Sequence, residues 1–201
     1  MSILFSVLAG VIPVVGLCLL SRVDEDMTCD VSVKNMIILS VVTTALSSEI
    51  MLFHPYDWLT AVIIGLVAFS AYCDAYMSKS YFITNIAIMA VALISYFAVG
   101  KRDLVPIVIA VVAYMLGVAN VYGRTDGSII AAVSLYTSII CGSGYIFVDL
   151  LCLLVGCIVF IVYGLTKYFI EKRKDKTASL KTRRPLLPSL SAGLLVLIFF
   201  V

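Results

Sequence analysis

Two aspartates in this sequence stand where carboxyl chemistry is plausible. Asp74 closes the apolar stretch Ser70-Ala71-Tyr72-Cys73-Asp74, and Asp126 lies in Tyr122-Gly123-Arg124-Thr125-Asp126-Gly127 at the start of another. Two carboxyls sharing a half-dry site do not ionise together, because repulsion keeps a proton on one while the other stays charged. The charged member can take a proton from water while the neutral one donates to a carbonyl. Neither role belongs to one residue, since such a pair titrates jointly. Gly123 and Gly127 would let backbone approach closely around Asp126. The bland alternative is that each Asp caps a helix or pairs with a cation, and Lys79 and Arg124 are at hand.

The elements that must position these acids are membrane helices. The chain has 201 residues, 63% of them hydrophobic and 13% charged, with a mean hydropathy of +1.15. A soluble domain carries roughly a quarter charged residues. A bilayer core of about 30 Å is spanned by about 20 apolar residues. Apolar runs between polar breaks predict an all-α, polytopic transmembrane bundle of about eight segments, roughly 2–20, 35–53, 57–73, 84–99, 104–121, 128–141, 144–166 and 187–201. Residues 1–201 read as a single membrane-embedded domain, with one long basic stretch at 167–184.

That stretch orients the chain. Basic residues are retained on the cytoplasmic side, so 167–184 is expected to face the cytoplasm. Counting spans backward puts the loops around 21–34, 74–83 and 122–127 on the same side. Of the fourteen Lys and Arg, only Lys101 and Arg102 then fall outside. Asp74 and Asp126 thus belong to one cytoplasmic interface of a multi-pass cell-membrane protein. The basic stretch itself reads first as a topology signal in contact with anionic lipid.

The remaining acids sort differently. Asp24, Glu25, Asp26 and Asp30 form a loop run, and Glu171 and Asp175 lie among basic residues. Asp57 and Asp103 stand at span starts, where a carboxylate favours a helix N-terminus. Glu49 and Asp149 lie inside apolar runs, where an ionisable group is a functional candidate by default. The six cysteines include no Cys-x-x-Cys pair, and His54 is the only histidine, so neither a metal nor another cofactor is implied. There is no phosphate-binding loop, dinucleotide fingerprint or zinc-protease histidine pair, and no nucleic-acid partner is expected.

Against this background three segments resemble one family. Gly123-Arg124-Thr125-Asp126-Gly127, leading into Ser128-Ile129-Ile130-Ala131-Ala132, resembles the Gly-x-Gly-Asp motif of the type IV prepilin peptidases, with Thr125 in place of the second Gly and Ser128 in place of the usual Lys. Asp74-Ala75-Tyr76-Met77-Ser78-Lys79, followed by Ile83-Thr84-Asn85, resembles the family's other Asp motif. Arg184-Pro185-Leu186-Leu187-Pro188 looks like its Pro-x-x-Pro approach to the last helix. The loop 21–34 is short and holds only Cys29, so the likeness is to the compact stand-alone form, without an expectation of N-methylation.

The resemblance implies a membrane-embedded aspartic endopeptidase with Asp74 and Asp126 as its catalytic pair. It would remove the basic leader from type IV pilin-like precursors at the cytoplasmic membrane face. The partners so implied are a pilin-like precursor and membrane lipid. A second reading, from a different class, is a non-catalytic or transporter-like membrane protein that uses Glu49 or Asp149 as a proton or cation site.

Overall fold

A long apolar chain in a bilayer must satisfy every backbone N–H and C=O within itself, and helices do so segment by segment. The computed structural model describes residues 2–23, 32–53, 58–77, 81–119, 123–141 and 144–174. These form seven helices: α1 (Ser2–Val23), α2 (Val33–Phe53), α3 (Trp58–Met77), α4 (Phe82–Ala98), α5 (Leu104–Val118), α6 (Arg124–Cys141) and α7 (Tyr145–Lys174). By length and composition α1, α2, α3 and α7 are able to cross a membrane, whereas α4, α5 and α6 contribute shorter apolar stretches. The all-α membrane bundle is therefore as expected, but with seven helices among the described residues rather than eight. The eighth segment, 187–201, lies outside them.

Three boundaries move in ways that matter. Apolar counting ends the third span at residue 73, yet α3 runs on to Met77 and carries Asp74 inside its last turns. The sixth begins at Arg124 rather than near 128, so Asp126 sits in a first helical turn. The seventh continues through Lys174, so the first part of the basic stretch is helical; the rest of 167–184 lies outside the described residues. At 1.5 Å per residue α7 is about 45 Å long, well beyond a 30 Å hydrocarbon core. Its charged end is anchored by aromatics: Lys167 Nζ lies 5.9 Å from the Tyr163 ring centroid and Lys172 Nζ lies 5.3 Å from that of Tyr168. Lysines that reach outward over interfacial rings suit the edge of a bilayer.

The turn between α4 and α5 shows how the chain reverses. Gly100 adopts φ +79°, a left-handed conformation that ends a helix without the strain a Cβ would add. Asp103 then caps α5, its carboxylate accepting from the Val105 N–H at 3.0 Å, which satisfies one of the donors a helix start leaves open. Tyr96 ties the turn to α4 by donating its hydroxyl to the Asp103 carbonyl at 2.6 Å.

α6 is the hub: it packs against α4, α5 and α7, while α1 packs on α2 and α3, and α3 on α4. It is also the helix with most polar residues in its interior-facing positions: Asp126, Ser128, Ser134, Thr137 and Ser138 are all buried. In a soluble protein the central helix would be the most apolar. Here lipid is the solvent, so outward faces such as Phe147, Leu150 and Leu154 of α7 are apolar and exposed, and polar groups turn inward where they find partners.

Candidate active site

Asp126 is the third residue of α6, and the helix starts behind it with the Gly127 N–H donating to the Gly123 carbonyl at 3.0 Å. A carboxyl in the first turn lies in the favourable field of the helix N-terminus. Its side chain folds back over Gly123: a Cβ built on that glycine would stand 2.6 Å from Asp126 Oδ2. Gly123 is therefore a glycine because the carboxyl occupies the space of its side chain. The residue is only 9% exposed. Gly127 is buried beside it.

Asp74 is half-buried near the end of α3. On one side Tyr72 and Cys73 pack with Leu17 and Phe69, fixing α3 against α1 and α2. On the other, Ile63, Val67 and Ala71 join the main apolar cluster, which also holds Ile129, Ala132 and Tyr136 of α6. Side chains of α3 and α6 thus meet, although the two backbones are not close neighbours.

The register of that meeting sets the relation of the two acids. Ile63, Ile64 and Val67 line one small cavity with Ala132, Val133 and Tyr136. Short connections make sequential helices run antiparallel, and three reversals separate α3 from α6. Asp74 lies seven residues after Val67, and Asp126 lies seven residues before Val133. Seven residues is nearly two whole turns at 3.6 per turn, so each carboxyl projects from the same face of its helix as the cavity-lining valine. Both also stand about 10 Å from it toward the same end of the bundle. By this register the two aspartates lie toward the same end of the bundle, each on the face of its helix that carries a cavity-lining valine, and Val133 also borders a second cleft among α5, α6 and α7.

Other polar groups gather at this end. Thr84 and Asn85 are buried in the first turn of α4, and Ser128 is fully buried one turn along α6 from the N-terminus. In the sequence all three are simply positions within motifs; the structure adds that they are buried. The side chain of Arg124, residue Lys79 and the Pro185-to-Pro188 segment lie outside the described residues. Among the described residues no cluster of His, Cys, Asp and Glu has the makings of a metal site.

At the other end of α6 a third acid is held differently. Asp149, 8% exposed, accepts at Oδ2 from the Ser134 hydroxyl at 2.6 Å and at Oδ1 from the Thr137 hydroxyl. Both carboxyl oxygens are occupied, and the acid joins α7 to α6. Glu49, the other acid within an apolar run, is exposed on α2.

No family model, curated protein or solved structure matches this chain.

Proposed function

We propose that the chain is a membrane-embedded aspartic endopeptidase that cleaves the leader of type IV pilin-like precursors, with Asp74 and Asp126 as its catalytic pair. The supporting observation is the shared register: each carboxyl stands seven residues from the valine that lines the cavity between α3 and α6. Chemistry follows from that placement. Near the bundle end water has access, and one ionised carboxyl activates it while its protonated neighbour donates to the scissile carbonyl. Half-dry surroundings and a like-charged neighbour favour that split of protonation states.

In this reading the Asp74 end of the bundle faces the cytoplasm, as the basic residues of α7 and the following stretch require. The precursor lies in the bilayer beside the peptidase, and its junction is presented at the interface where both acids sit. Depth then gives selectivity, since only a bond held at that level meets the pair. The test is co-expression with a pilin-like precursor. The wild-type chain removes the leader, while Asp74→Asn and Asp126→Asn accumulate uncleaved precursor at equal membrane abundance. Processing by both single variants defeats the reading.

A further inference from the structure

The cavity beneath the two acids is lined by Ile50 of α2, Ile63, Ile64 and Val67 of α3, and Ala132, Val133 and Tyr136 of α6. Its volume is about 30 Å³, and it is lined almost wholly by apolar atoms. Ile50, Ile63, Val67, Ala132 and Tyr136 are buried, whereas Ile64 and Val133 are half-buried and form its mouth. An apolar notch opening beside half-exposed aliphatic residues, in a bundle bathed by lipid, admits an apolar group from the membrane side. A space that holds about two water molecules suits the end of one aliphatic side chain rather than a whole acyl tail.

A second cleft separates this notch from a mere gap in lipid packing. It is larger, about 160 Å³, and lies between α5, α6 and α7, bounded by Ile109, Ile146, Leu150 and Leu153. It includes no residue of α3 and stands beside Asp149, whose carboxyl oxygens both accept hydroxyls. Both cavities share Val133 of α6, but of the two the smaller notch alone is also walled by α3, through Ile63, Ile64 and Val67.

We infer that this notch is a depth gauge for the peptide substrate, receiving an aliphatic side chain of its membrane-spanning helix and thereby setting which bond reaches Asp74 and Asp126. The inference rests on the peptidase reading above. The acids lie about 10 Å from the notch, so a helical substrate rising 1.5 Å per residue places in it a side chain about seven residues beyond the scissile bond. An aliphatic residue there fits; a charged one leaves an unpaired charge in the hydrocarbon layer.

The test uses the full chain in phosphatidylethanolamine–phosphatidylglycerol vesicles with a precursor made of a basic leader and an aliphatic membrane helix. A benzophenone side chain is moved through residues four to ten beyond the junction, and the Asp126→Asn chain holds the substrate uncut. Cross-linking to Ile64 of α3 and Tyr136 of α6, which line the notch and not the larger cleft, is expected to peak near the seventh residue. Cross-links that spread evenly along the substrate, or that fall on α5 and α7, overturn the gauge. In the active chain Ile64→Trp narrows the mouth and raises the KM for the anchored precursor about tenfold with kcat little changed, the signature of lost uniform binding. Leu150→Trp at the larger cleft changes neither. An Ile64→Trp chain with the wild-type KM overturns the gauge alone, whereas a wild-type chain that cleaves no precursor overturns the peptidase reading with it.

Discussion

The two ends of α6 bury acids in contrasting ways. At its start, Asp126 occupies a first helical turn, folded over a glycine, toward the end of the bundle at which α3 carries Asp74. Near its far end the acid belongs to the neighbouring helix: Asp149 of α7 takes hydroxyls from Ser134 and Thr137, one on each oxygen. Burial of a carboxyl in a membrane protein is therefore not enough to mark chemistry. At the Asp126 end a second acid, Asp74, stands toward the same end of the bundle. What distinguishes the Asp149 end is a carboxyl whose acceptor capacity is used to join two helices. In the proposed function the first end serves proton transfer, while the second joins two helices.

The contrast breaks most sharply at the pair itself. Asp74→Asn or Asp126→Asn is expected to lower precursor cleavage by about 10²–10⁴-fold, the usual contribution of acid–base catalysis. Asp149→Asn should leave the cleavage rate of the folded chain within about twofold, as a residue outside the transition state does. Rate assays at matched membrane abundance decide this, and an Asp149→Asn chain as inactive as Asp126→Asn would erase the distinction between the two ends.

Gly123→Ala probes the same end more gently. The added methyl displaces the Asp126 carboxyl, and a displacement near 1 Å lowers turnover by about 10- to 100-fold. Single-turnover cleavage should show the loss in the chemical step, with the thermal midpoint close to wild type. Unaltered turnover would mean that the position of this carboxyl over Gly123 is immaterial.

At the cohesive end the expected losses are in stability. Asp149→Ala leaves the Ser134 hydroxyl without this acceptor and Thr137 with the Ser134 carbonyl at 3.1 Å, and lowers stability by about 1–3 kcal/mol, read from detergent-solubilised unfolding. Smaller still, Asp103→Ala removes the cap of α5 and destabilises by about 1 kcal/mol, with no change in cleavage. If Asp149→Ala were as stable as wild type, the join between α6 and α7 would have to lie elsewhere.

Much of the architecture was legible because hydropathy reads lipid-facing surface directly. The apolar runs located all seven described helices, and Asp103 was recognisable as a helix-start residue from its place before Leu104. Hydropathy misjudged the ends for a single physical reason: helices continue into the interface, where their residues are polar. That is why Asp74 lies within α3, why α6 opens at Arg124, and why α7 runs on to Lys174. Asp74 and Asp126 stood out because each is an acid at the edge of an apolar run. The grip on Asp149 was not legible, since its partners lie on a different helix, 12 and 15 residues away. Nor was the notch, which exists only through the packing of three helices.

The polar character of α6 bears on how the protein is made. A segment carrying Asp126, Ser128, Ser134, Thr137 and Ser138 gains little from entering hydrocarbon alone, where its one acid is penalised by about 3 kcal/mol. α5, apolar and packed along it, is a natural escort, so the two should leave the translocon as a hairpin. The helix that the proposed chemistry needs most is then the one the nascent chain is least able to insert unaided, and a break in synthesis between α5 and α6 would strand it on the wrong side of the bilayer.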